Sequence, residues 1–183
     1  MSKVLAFFAD GLEMVEGLSV VDVLRRARVE VEIVSIKPEL EVTSSHQVKI
    51  VCDKSIDDVD FEGADMIFLP GGMKGTQNLD ACEKLRKEIL SFYENGKYLA
   101  AVCAAPTIYG RMGLLKGKRA TCYPGLEEDL IGAEKTTNEV EKDGNMITSR
   151  GLGTSIALGL ELISVLCGEG KSHEIAKQIC YQN

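Results

Sequence analysis

Short apolar runs, each closed by a turn and followed by apolar residues at helical spacing, recur along this chain and constrain its fold more than any other feature. Lys3–Ala9 is one such run, broken by Asp10-Gly11, after which Leu18, Val21 and Leu24 recur as one face of a helix up to Ala27. Met66–Leu69 is another and ends in Pro70-Gly71-Gly72, and Tyr98–Val102 is a third and ends at Cys103. Val29, Val31 and Ile33 alternate with Glu30 and Glu32, the period of a strand with one wetter face. Strands alternating with helices predict an α/β chain whose mostly parallel central sheet is covered by helices on both faces. In such sheets, sites gather beyond the carboxyl ends of the strands. The loops Asp10–Glu16, Pro70–Gly75 and Cys103–Pro106 are therefore expected to meet at one end of the sheet, which brings Glu16 toward Cys103.

The remaining segments read as additions to that frame. Asp80 is placed to cap a helix running through Leu85, Ile89 and Phe92 to Asn95, with Gly96 just past its end. Lys118–Cys122 reads as a further strand, ending at Tyr123-Pro124-Gly125. Leu40–Thr43 and Gln47–Cys52, on either side of Ser44-Ser45-His46, form a small accessory hairpin outside the main sheet. Thr137–Glu141 and Met146–Ser149 flank Lys142-Asp143-Gly144-Asn145, a second hairpin. Ser155–Leu166 is apolar on several faces and reads as a buried helix, with Lys171–Cys180 as the closing amphipathic one. No repeat or linker interrupts the pattern, so the 183 residues read as a single domain, 1–183.

Charge and composition narrow the function. A net charge of −7 counts against a nucleic acid or an anionic membrane surface as partner. No apolar run approaches a spanning length, and the opening MSKVLAFFA lacks the three parts of a signal peptide, so a cytoplasmic location is expected. The six cysteines include no C-x-x-C pair, and only two histidines, His46 and His173, stand far apart. No metal site is expected from such a set. Gly71-Gly72 and Gly151–Gly153 match neither a dinucleotide fingerprint nor a Walker loop, so no nucleotide cofactor is expected.

Chemistry concentrates in Tyr98–Gly110, YLAAVCAAPTIYG. Pro106 suits the first turn of a helix, so Cys103 falls on a sharp strand-to-helix turn. Helix-start N–H groups favour an anion and lower a thiol's pKa, and Ala101, Ala104 and Ala105 leave room beside the sulfur. The other reading of Cys103 is an interior thiol with no task. Glu16 likewise has two readings. It is either a dipole-favoured acid in a first helical turn, or a buried, protonated carboxyl that donates a hydrogen bond to a thiolate. Tyr123 closes a strand and faces the pocket or lids it, while Cys122 points the other way and is no partner for Cys103.

In order and spacing, GLEMVE (Gly11–Glu16), VDVLRRA (Val21–Ala27), LPGGMKGTQNL (Leu69–Leu79), AAVCAAPT (Ala100–Thr107) and TSRGLGTS (Thr148–Ser155) resemble the ThiJ/PfpI family, and within it the DJ-one branch. The resemblance covers essentially the whole chain. It implies a flavodoxin-like three-layer sandwich and a homodimer. It implies Cys103 as the reactive cysteine, Glu16 as its protonated partner, and backbone N–H groups from Gly71, Gly72 and Ala104 around the site. It further implies ready oxidation of Cys103 to a sulfinic acid. The activity implied is that of a cofactor-independent glyoxalase or deglycase acting on methylglyoxal, glyoxal or glycated side chains. The alternative is a redox sensor or chaperone switched at Cys103. Tyr123 stands where many members carry a histidine. Ala104 stands where the protease branch has one, which points away from peptidase activity.

Overall fold

A computed structural model describes residues 2–181. In chain order, the main elements are β1 (Lys3–Phe8), α1 (Met14–Arg26), β2 (Glu30–Ser35), β3 (Glu41–Thr43), β4 (Lys49–Val51), β5 (Lys54–Ser55) and β6 (Met66–Leu69). There follow α2 (Met73–Ala81), α3 (Glu83–Glu94), β7 (Tyr98–Val102), α4 (Pro106–Arg111), β8 (Arg119–Ala120), β9 (Glu134–Lys135), β10 (Val140–Asp143), β11 (Met146–Ser149), α5 (Ser155–Cys167) and α6 (Glu169–Gln178). The main sheet has seven strands in the order β10-β11-β7-β6-β1-β2-β5. Every pairing in it is parallel except β10 with β11. The small hairpin β3–β4 stands outside it, as the sequence predicts.

Alternation along β1 divides the core into two layers. Val4, Ala6 and Phe8 face α1 and α5, where they pack with Val20, Leu24, Leu158 and Leu162. Leu5 and Phe7 face the opposite helices and pack with Leu79 of α2, Leu85 and Ile89 of α3 and Ile108 of α4. The strands read as near-continuous apolar runs because both faces are covered. Tyr109 ties α4 to the sheet: it is fully buried, and its hydroxyl donates to the Ala100 carbonyl at 3.1 Å.

Two expectations are corrected. Asp80 does not cap the helix of Leu85. It lies in the last turn of α2, and Cys82 occupies the cap position of α3 with no side-chain bond. The Asp80 carboxylate instead pairs with Arg86 and Arg111. Lys118–Cys122 is not a strand of the main sheet: only Arg119–Ala120 pair, with β9 in a separate two-stranded sheet. The reason is that the next N–H groups have other acceptors, Thr121 donating to Thr148 Oγ1 and Tyr123 to the Cys103 carbonyl. Ser55 belongs to the edge strand β5. In the turn after α1, Arg28 takes φ 63° where a glycine is common.

Gly110 marks the tightest approach in this half of the molecule. A Cβ there would overlap the Asp129 carbonyl oxygen and stand 2.7 Å from Leu130 Cα. Both obstacles are backbone and cannot rotate away. Gly110→Ala is expected to cost about 3 kcal/mol of stability through overpacking, read as a lower midpoint in urea with an unchanged slope.

Candidate active site

Cys103 follows β7 directly and has φ 62°, a left-handed conformation that non-glycine residues seldom adopt. Two hydrogen bonds hold it there. Its N–H donates to the Ser149 carbonyl at 3.0 Å, extending the β7–β11 ladder by one step, and its carbonyl accepts from Tyr123 N–H at 2.8 Å. Strain of this kind persists only where the surroundings over-determine it, and it clusters at functional sites. Neither the positive φ nor its two anchors had a signal in the sequence. The helix-starting Pro106 is at the first turn of α4, as its position in the sequence suggests.

Glu16 reaches the same point from α1. Glu13 caps that helix by accepting from Val15 N–H at 3.4 Å, which leaves Glu16 in the first turn, facing inward. Only 1% of Glu16 is exposed. Its Oε2 accepts from Gly71 N–H at 2.9 Å, and its carboxyl is hydrogen-bonded to Cys103. Gly71 is required by close approach: a Cβ there would stand 2.6 Å from both Cys103 Cβ and Glu16 Oε2. The N–H groups of Gly72 and Ala104 act on the Cys103 sulfur. Of the backbone donors named from the sequence, Gly71 thus serves the carboxyl, and Gly72 and Ala104 serve the sulfur.

The electrostatics differ from the expectation of an acidic thiol. Burial pushes the Glu16 carboxyl up to about 7, with the Glu13 charge adding to the rise and the bonds from Cys103 and Gly71 opposing it. Burial also pushes Cys103 up to about 12, followed by the charge of an ionised Glu16, against the N–H groups of Gly72 and Ala104. A helix of six residues does not offset a carboxylate in contact with the sulfur. Cys103 and Glu16 therefore titrate as a pair. With Glu16 ionised, the thiol keeps its proton. With Glu16 protonated, the opposing charge is gone, and a thiolate would face one O–H and two N–H donors.

The other candidates are arranged as follows. Tyr123 is half-exposed and is tied to Cys103 through its backbone, and a Cβ on Gly151 would touch its ring at 3.5 Å. Cys122 is buried, and its sulfur is 3.5 Å from the Tyr123 carbonyl oxygen. His46 is exposed on the β3–β4 hairpin, 3.0 Å from Ser45 Oγ and 3.6 Å from Glu13, and His173 is exposed on α6. Glu13 was missed from the sequence, yet it links that hairpin to the site by accepting from Ser45 Oγ at 3.2 Å. Among the described residues, no three His, Cys, Asp or Glu side chains converge in a way that could hold a metal ion. No helix among them is long and apolar enough to cross a membrane.

Gly71→Ala tests this packing. The added methyl must displace Cys103 or Glu16, so the variant is expected to lose about 1–3 kcal/mol of stability. Its Cys103 should also react with iodoacetamide at a rate unlike wild type. Wild-type alkylation kinetics would contradict the close approach.

A mostly parallel sheet covered on both faces, with a strained cysteine at one strand end against a buried carboxyl, defines a flavodoxin-like α/β protein built around a cysteine elbow. The chain belongs to the DJ-1/PfpI family, whose model matches residues 2–165. The fold is similar to that of oxidized Toxoplasma gondii DJ-1, with a TM-score of 0.96 and 32% identity over 100% of both chains. The sequence is 38% identical to DJ-1 homolog B of Arabidopsis thaliana over 95% of this chain, but spans only 40% of that protein. The chain covers less than half the length of the Arabidopsis relatives it matches. It is also 31% identical to a protein of Pyrococcus abyssi named as a deglycase, over 90% of this chain and 99% of that one.

Proposed function

We propose that this protein is a cofactor-independent cysteine enzyme of the glyoxalase or deglycase type, acting on methylglyoxal, related small aldehydes or glycated side chains. The observation that carries this reading is the pairing of Cys103 with a carboxyl whose pKa lies near 7, so that one group both donates and accepts protons at neutral pH. The Pyrococcus relative named as a deglycase supports it.

The sulfur adds to the aldehyde carbon of methylglyoxal, and the π pair moves to oxygen, which takes a proton to give a hemithioacetal. Gly72 and Ala104 N–H groups stabilise the developing charge. Glu16 removes the hydrogen on that carbon as a proton and protonates the neighbouring ketone oxygen. Reprotonation at the second carbon leaves a lactoyl thioester. Water cleaves it to lactate and regenerates the thiol. The first carbon is oxidised and the second reduced, so no external oxidant, metal or glutathione enters. Gly71 holds Glu16, and Tyr123 lines the mouth. A homodimer is part of the proposal, with the exposed apolar residues Leu18, Val48 and Val51 of α1 and the β3–β4 hairpin as the surface it would cover.

The test is lactate formation from methylglyoxal without glutathione. Lactate accumulating in proportion to protein is expected. No lactate, with Cys103 shown to be reduced, would overturn the catalytic reading. It would favour a redox switch instead, a reading supported by Cys103 being only partly buried at a strained turn.

A further inference from the structure

We propose that the cleft between α2 and α4 is a binding site for a small oxyanion, a carboxylate or phosphate group, separate from the Cys103–Glu16 pair and adjoining it. The cleft has a volume of about 500 Å³, within the range of small-ligand sites. Its walls come from α2 (Met73, Thr76, Gln77 and Asp80), Thr107 and Arg111 of α4, Arg86 of α3, and the loop carrying Leu126 and Asp129. Ala104, whose N–H acts on the Cys103 sulfur, lines it, as does Met73, the neighbour of Gly72.

The distribution of donors and acceptors gives the ligand's chemistry. Both carboxylates of the cleft already have partners. Asp80 accepts from Arg86 Nη1 and from Arg111 Nε at 3.0 Å, and Asp129 accepts from Arg111 Nη1 at 2.8 Å. Arg111 also places Nη2 2.9 Å from Asp80, so its fork is occupied. Arg86 is different: Nη1 goes to Asp80, and no other side-chain bond engages its guanidinium among the described residues. Its remaining edge, Nε with Nη2, is the geometry that binds a carboxylate or phosphate through two parallel bonds. Asp80 holds it in place.

The Gln77 amide, on the exposed side of α2, lines the same cleft and has no side-chain partner among the described residues. The free donors of Arg86 and the Gln77 amide therefore call for a ligand rich in acceptors, which an oxyanion is.

Calorimetric titration of the full chain with inorganic phosphate and, separately, with malonate tests the site. Saturable binding of one or both is expected, and which of them binds tells phosphate from carboxylate. Arg86→Ala should weaken that binding about tenfold or more. Because Arg86→Ala also releases Asp80, Gln77→Ala provides the second arm. It removes an exposed amide, leaves the pair of Asp80 with Arg86 in place, and should weaken binding several-fold. Binding should persist in Cys103→Ser, which separates this site from the fate of the aldehyde chemistry. No saturable binding of either anion, or binding unchanged in both Arg86→Ala and Gln77→Ala, would overturn the proposal.

Discussion

Cys103→Ser should reduce lactate formation from methylglyoxal by about 10³-fold or more, while the protein stays folded. The two oxygens and the sulfur of the site explain why. A thiol near Glu16 needs only one proton moved to become a strong nucleophile, and the carboxyl that would receive or return it titrates near 7. A serine hydroxyl is far less acidic, and Glu16 is too weak a base to activate it. The shape of the site should survive the change, because the bonds that fix Cys103 at φ 62° are backbone bonds to Ser149 and Tyr123. The check is paired: lactate assays on both proteins, and chemical unfolding to show that stability differs by no more than about 1 kcal/mol. A variant that retains more than a tenth of wild-type turnover would remove Cys103 from the chemistry. Loss of turnover together with loss of fold would be answered by Cys103→Ala, which removes the hydroxyl and keeps the volume small.

Much of the architecture was legible because the strands that matter most are buried on both faces. Met66–Leu69 and Tyr98–Val102 read as unbroken apolar runs, and both have those bounds in the structure. Helix α2 was not legible. Of its nine residues only Gly75, Thr76 and Leu79 are buried, so it lacks an apolar stripe, and its start depends on Gly72 turning the chain at φ 87°. Missing α2 is what made Asp80 look like a cap. Strands β8 and β9 pair over two residues each, too few for any period to show. The meeting of Glu16 with Cys103 was legible from topology alone, since the loops after parallel strands converge. The direction of the thiol's pKa was not. It depends on how completely the pair is buried and on the charge of Glu16, and neither is a property of the local sequence.

Glu16→Gln should make the folded protein more stable than wild type above pH 7, and equally stable near pH 4.5. In the fold the carboxyl titrates near 7, and in the unfolded chain near 4.5. A group whose folded pKa is raised binds its proton more tightly in the native state. Its contribution is therefore whole below the unfolded pKa and is lost as pH rises through the folded one. The interval between 4.5 and 7 corresponds to about 3 kcal/mol. Glutamine keeps the shape, still accepts from Gly71 N–H through its amide oxygen, and carries no charge to bury at any pH. In a chain of this length the difference amounts to about 5–10 °C in Tm at pH 8.5. Carboxylates held low by their ion pairs, such as Glu141 beside Arg119, act alike in both proteins and cancel from the comparison. Melting both proteins from pH 4.5 to 9 decides it, since parallel curves would mean that Glu16 is not charged at the expense of the fold. The same substitution should abolish turnover, because an amide can donate to the sulfur but cannot shuttle a proton between carbon and oxygen. A residue whose removal stabilises the protein and stops its chemistry is held in place for the reaction, at a cost in stability that the rest of the fold must cover.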